Sequence, residues 1–277
     1  AKSYFASDLC VSEDVAIGTD STDSQVAEGA GTFNLETNTV VYAKNLYERL
    51  YPASTTKILT AYIALKYCDD LDAMVTVSEN AVNQASDSSV CNLKAGDVIR
   101  LRDLLYGLML RSGNDAAVAI AEYISGDVDS FAALMNQEAA AMGATRSHFV
   151  NPNGLPDENH YTCVYDMYLI FSNAIKNDTF VSIIGTTSYD VTYTDASGEA
   201  VTHTWENTNQ YLTGNATTPD GFQIVGGKTG TTGEAGYCLV LYSYNPSGQP
   251  IISIVFKADG KSNLYLLMNE MLQGFAI

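Results

Sequence analysis

The chain has 277 residues, 46% of them hydrophobic, with 14 Lys+Arg against 32 Asp+Glu and a net charge of −18. That length suits one large domain or two small ones, and the apolar share is enough to bury a real core. The acidic excess argues against nucleic-acid partners and against anionic membrane surfaces, both of which are held by positive charge.

In chain order, AKSYFASDLC reads as the head of either a cytoplasmic chain or a trimmed mature form, since no signal-like core precedes it. Residues 12–28 are acidic and polar and are expected to be partly loose. Residues 26–45 read as a hairpin turning at 35–38, where Asn and Thr suit a turn. Pro52 ends the extended run, and Ile58, Leu59, Tyr62, Ile63 and Leu65 then recur at helical spacing. MVTVS at 74–78 is a short strand candidate. Helices are expected at 101–110, 116–124 (stopped by Gly126), 129–142 (stopped by Gly143) and 165–177, with a tight loop at 151–156. From Tyr189 onward the alternation is that of strands, in YDVTYT, AVTHTW, FQIV, YCLVLYSY and PIISIVFKA, followed by a helix at 262–275.

This order predicts an α+β protein in which a mainly helical lobe is inserted into an antiparallel sheet lobe flanked by helices. The sheet lobe takes roughly 1–53 and 186–277, and the helical lobe roughly 54–185. Together they form a single domain, with no run long and apolar enough to span a bilayer. Cys10, Cys68, Cys91, Cys163 and Cys238 are an odd, scattered set without CxxC. They form neither a disulfide scaffold nor a zinc knuckle, and no pair is fixed by the sequence.

Three short stretches have the residue types for chemistry. In YPASTTK, Ser54 is a good N-cap, but the place where a capping box wants Glu or Gln holds Lys57. A cation in the first turn faces the positive end of the helix dipole. The plain reading is a capping serine and a solvated lysine. The chemical reading uses the i, i+3 spacing: a neutral Lys57 takes the proton of the Ser54 hydroxyl, which is a poor nucleophile until a neighbour does so. The helix end, any desolvation and a second cation, Lys228, would all depress its pKa. In RSGNDAA, Asn114 or Asp115 caps the next helix and Gly113 makes the turn, or else Ser112 shuttles a proton and Asn114 holds a peptide group. In GGKTGTTG, a phosphate loop would need glycine where Phe222 stands, and no helix follows Thr229. What remains is a strand edge whose Lys228 ammonium and Thr229 hydroxyl meet a carboxylate, with Gly230 allowing close approach.

In the order SxxK, SxN, KTG these stretches form a signature of penicillin-binding proteins and class A β-lactamases. The chain resembles the low-molecular-mass penicillin-binding proteins, bacterial serine-type D-Ala-D-Ala carboxypeptidases. YPASTTKILTAY, LMLRSGNDAA, FVNPNGLPDENHYT, WENTNQYL and GGKTGTTGEAGYCLV carry the likeness in the family's order, from about residue 26 to about 257. The resemblance implies the β-lactamase/transpeptidase-like fold. It implies that Ser54 attacks the carbonyl between two D-alanines of a peptidoglycan stem peptide, with Lys57 accepting its proton. Ser112 passes a proton to the leaving amine, Asn114 orients the peptide, and Lys228 and Thr229, beside Gly230, bind the terminal carboxylate. The backbone N–H groups of Ser54 and Thr231 form the oxyanion hole. β-Lactams acylate the same serine. No cofactor and no metal are implied, and the wall substrate implies a secreted or extracytoplasmic place and a role in cell shape. The pattern departs at Thr231, where some members have His, and the family's C-terminal β-domain and membrane anchor are expected to lie outside this chain.

A class A β-lactamase needs a Glu in an ExxxN context. Glu138 is followed by AAAMGA, and neither Asn151 nor Asn153 has Glu four places upstream. An idle penicillin sensor is disfavoured by three intact motifs. His148, His160 and His203 show no HExxH spacing and read as ordinary polar or loop histidines.

Overall fold

A computed structural model describes residues 6–277. The first five residues, part of the stretch read as a trimmed start, lie outside the described residues. The elements run β1 Ala27–Asn34, β2 Thr39–Lys44, α1 Lys57–Tyr67, β3 Met74–Thr76, α2 Glu79–Val82, β4 Val98–Arg100, α3 Leu101–Leu110, α4 Asn114–Ser125, α5 Val128–Ala141, α6 Val164–Ala174, α7 Asp178–Ile184, β5 Ser188–Thr194, β6 Ala200–Glu206, α8 Gln210–Thr213, β7 Gln223–Thr232, β8 Gly236–Tyr244, β9 Pro250–Ala258 and α9 Lys261–Phe275. The order of types is the expected α+β one.

The terminal strands share one antiparallel sheet, ordered β2-β1-β9-β8-β7. The chain closes it by pairing Ala27–Asn34 with the late strand β9, Gly31 opposite Ile254. Both faces are covered because the alternation is apolar on both sides. Leu239 and Leu241 of β8, with Ile251 and Val255 of β9, face Leu264, Leu267, Met268 and Met271 of α9. Val240, Ile252, Ile254 and Phe256 face the opposite way, into a larger core shared with Ile58, Leu104, Phe131 and Phe171 of the helices. Strand period two thus builds a three-layer unit with β2 and β7 at the sheet's edges.

Four expectations are corrected. The strands at 188–206 do not join that sheet; they pair with β4 in a second one, ordered β3-β4-β5-β6, so this part of 186–277 lies with the helices. Alternation reveals a strand but not its partner. The helix expected over 165–177 ends at Ala174, and Asn177 caps a separate helix, α7, by accepting from Phe180 N–H. Residues 12–28, expected to be partly loose, are docked: Ile17 pairs with Ala43, Tyr47 Oη donates to Ser12 O, and two short 3-10 turns lead into β1. Ser54 is not an N-cap. It lies within a 3-10 turn, Ala53–Thr56, that runs directly into α1, and no side chain caps that helix. All five cysteines are free.

Candidate active site

The 3-10 turn, the α3–α4 junction, the 150–160 loop and β7 meet along one cleft. Two connected hollows follow it. One, of about 260 Å³, is lined by Ser54, Asn114, Asn153, Leu155, Thr231 and Glu234 among others. The other, of about 230 Å³, is lined by Ser54, Ser112, Thr208, Thr229, Gly230 and Thr231 among others. Ser54 belongs to both.

Lys57, the first residue of α1, is completely buried. Its Nζ lies 2.8 Å from Ser54 Oγ, 3.1 Å from Ser112 Oγ, 2.7 Å from Asn114 Oδ1 and 3.1 Å from the carbonyl of Asn153. Burial, and then the charge of Lys228, hold this amine well below the ordinary lysine value. The depression expected from the sequence is present, and of the causes expected there desolvation leads and Lys228 follows. A neutral amine has two N–H groups and one lone pair. The amide oxygen of Asn114 and the carbonyl of Asn153 have no proton to give, so they take the N–H groups. The lone pair is left facing the serine hydroxyls, as a proton acceptor needs.

Lys228, on β7, is also buried, and burial pulls its amine down to about 7. Its Nζ donates to Thr229 O at 2.7 Å and to Ser112 Oγ at 3.2 Å. The Ser112 hydroxyl therefore bridges the two amines, a path along which a proton can pass.

The backbone around these groups is held in place. Ser112 sits at φ +58° and Ala53 at φ +49°, left-handed positions that cost a non-glycine residue about 1–2 kcal/mol each. The turn residue of the SGN block is thus Ser112, not Gly113. Asp115, with no ion pair among the described residues, offsets that strain. Its buried carboxylate accepts from the N–H groups of Cys91, Leu93 and Ala116, while Asn114 N–H donates to Ser89 O. On the opposite wall, a Cβ at Gly230 would stand 2.8 Å from Ser54 N. Glycine is what lets the edge strand close on the backbone of Ser54.

The expected residues Ser54, Lys57, Ser112, Asn114, Lys228, Thr229, Gly230 and Thr231 all reach the cleft. The sequence reading missed three contributors. Asn153 supplies a backbone carbonyl, which no side-chain motif can advertise. Thr208 places its Oγ1 2.5 Å from Thr229 Oγ1. His160, read as an ordinary loop histidine, is buried against Thr56. The quoted blocks NPNGLPDENHYT and WENTNQYL contained all three, without a role for any. Glu138, weighed as a hydrolytic glutamate, is bound by Lys66 and Tyr67 and is not among the cleft residues.

Comparison with known proteins agrees with this geometry. The Peptidase_S11 family, D-alanyl-D-alanine carboxypeptidase, matches residues 18–260. The chain is 34% identical over 251 residues to D-alanyl-D-alanine carboxypeptidase DacF of Bacillus subtilis, covering 89% of this chain and 61% of the relative. It is also 34% identical over 265 residues to the D-alanyl-D-alanine carboxypeptidase of a Streptomyces strain, covering 91% and 88%. The solved Streptomyces DD-transpeptidase superposes with a TM-score of 0.80 at 33% identity, over 88% of this chain and 96% of that one. DacD of Francisella tularensis, a D-alanyl-D-alanine carboxypeptidase, superposes with a TM-score of 0.78 at 27% identity, over 99% and 73%. The chain has the β-lactamase/transpeptidase-like fold and belongs to the D-alanyl-D-alanine carboxypeptidase family.

Proposed function

We propose that the chain is a serine-type D-alanyl-D-alanine carboxypeptidase that removes the terminal D-alanine of peptidoglycan stem peptides through an acyl-enzyme on Ser54. One observation carries the reading: the Lys57 amine is buried between Ser54 Oγ and Ser112 Oγ, with both of its N–H groups committed elsewhere. Ser54 Oγ attacks the carbonyl between the two alanines, and its proton goes to Lys57 Nζ. The negative oxygen that forms is stabilised by the backbone N–H groups of Ser54 and Thr231. As the C–N bond breaks, Lys57 returns the proton through Ser112 Oγ to the departing amine. Lys228 and Thr229, with Thr208 beside it, hold the terminal carboxylate, and Asn114 orients the peptide. Water then attacks the ester and releases the shortened peptide. β-Lactams enter the same step but leave the ester in place. Such a substrate places the protein outside the cytoplasmic membrane. Among the described residues no helix is long and apolar enough to cross a membrane.

The test offers a diacyl-L-Lys-D-Ala-D-Ala peptide and a fluorescent penicillin side by side. Released D-alanine with a stable penicillin adduct, both lost in Ser54→Ala at unchanged fold, is the expected result. Fast penicillin turnover means a β-lactamase instead, and an adduct without D-alanine release means a sensor. Because one solved relative is named a DD-transpeptidase, the assay is repeated with an added amine acceptor; transfer that dominates over D-alanine hydrolysis would make aminolysis the main reaction.

A further inference from the structure

We propose that His160 is a positioning residue for acyl transfer: it ties the 150–160 loop to α1 so that the Asn153 carbonyl aims the Lys57 lone pair at Ser54. The inference rests on the acyl-transfer reading above.

The geometry leads there in steps. The His160 ring is 1% exposed. Its Nδ1 accepts from Val150 N–H at 3.1 Å, so in the neutral ring the proton sits on Nε2. That nitrogen faces Thr56 Oγ1 at 2.8 Å and donates to it. One ring therefore joins the first residue of the loop to the residue preceding Lys57. Two more bonds run from the same loop to the same helix: Thr60 Oγ1 donates to Pro152 O at 2.7 Å, and Lys57 Nζ donates to Asn153 O at 3.1 Å. Thr60 follows Thr56 by four residues and Lys57 by three, so it neighbours each of them at the start of α1. Of the three ties, only the His160 bond holds both the loop base and the helix start without touching the reacting groups.

The ring is suited to a fixed strut. Burial lowers it to about 4, with Asp157 opposing and His148 reinforcing the shift, so it stays neutral across the working range. The edge of Phe149 packs against it, with ring centroids 5.4 Å apart at 83°. A histidine that stays neutral keeps one donor and one acceptor at a fixed angle, which a serine or threonine hydroxyl at that distance would not span.

The test compares wild type, His160→Ala, His160→Gln and Thr56→Val. The readouts are the acylation rate constant with a fluorescent penicillin from pH 5 to 10 and the melting temperature. Loosening the loop admits water to Lys57 and restores solvation of its ammonium form. In His160→Ala the acid limb of the profile should move up by about one pH unit, and the rate at neutral pH should fall roughly 10- to 100-fold. Glutamine carries both a donor and an acceptor and should recover most of the rate. Thr56→Val keeps the volume while removing the acceptor, and should move the limb in the same direction even if His160→Ala does not fold. A lowered melting temperature with an unmoved limb in the folded variants reduces His160 to a structural residue and overturns the inference alone. Wild type that is not labelled at Ser54 overturns the acyl-transfer reading, and this inference with it.

Discussion

Lys57 and Lys228 each lose the solvation of an ammonium ion on folding, and that loss lowers the pKa of both amines. Such a lysine is unfavourable for stability and useful as a base. Arginine cannot serve, because it stays protonated at any accessible pH. Lys57→Arg is therefore expected to abolish acylation by penicillin, at least 1,000-fold by the rough scale of a lost acid–base group plus a misplaced charge. In the unaltered protein the acylation rate should rise with pH through a value well below 10.4, the pKa of free lysine. A rate that climbs only near pH 10 would show that the amine is not depressed. At this scale the chain's residue types pointed to Ser54, Lys57, Ser112, Asn114 and Lys228, which the fold gathers into one cluster. They could not point to Asn153, whose contribution is a main-chain carbonyl, nor rank burial above the helix dipole, since burial belongs to no single residue.

The elements that meet at the cleft do so at backbone contact. The 150–160 loop approaches the 3-10 turn that carries Ser54 so closely that a Cβ at Gly154 would stand 1.8 Å from the carbonyl oxygen of Ala53, and Gly154 itself sits at φ +92°. Gly154→Ala should therefore incur both left-handed strain and a clash that only loop movement relieves. We expect a loss of more than about 2 kcal/mol in urea unfolding and roughly a 10-fold or larger drop in acylation. Wild-type acylation in that variant would mean the close approach is dispensable. Elements with clean periodicity were readable in the sequence: α3 falls on 101–110 as expected, and the hairpin turns between Asn34 and Thr39. The starts of helices were less readable. The Ser54 signal suggested a cap, yet the turn is 3-10 and continues into α1, because the backbone is shaped by β7 and the 150–160 loop pressing on it.

Across the whole molecule, one core joins the sheet to the helices: Phe33, Ile252 and Phe256 share it with Leu104, Ile120, Phe171 and Trp205. Trp205 is the single tryptophan and lies on β6, in the second sheet. Its fluorescence, far-UV circular dichroism and penicillin acylation should be lost at one denaturant midpoint; separate midpoints would show that the second sheet unfolds apart from the cleft. Stability should also depend on pH with a definite sign. Below about 10.4 the unfolded chain holds a proton on Lys228 that the folded chain gives up above about 7. The unfolded state thus binds more protons, and stability rises with pH, by up to about 1.4 kcal/mol per pH unit for one such group. Above about pH 8.5 the rise is opposed, because burial raises the Cys163 and Cys238 thiols to about 12 and the unfolded chain sheds those protons first. Flat stability between pH 7 and 8.5 would contradict a buried neutral Lys228.

By itself the sequence determined the α+β order, the three reactive blocks and the family, because these depend on periodicity and on residue types at short spacing. Tertiary structure alone decided that the 188–206 hairpin joins the small second sheet, that a loop carbonyl reaches Lys57 while His160 packs on Thr56, and that both lysines are buried. Strand pairing, desolvation and main-chain contacts arise between segments far apart along the chain. No local pattern encodes them until the core has closed.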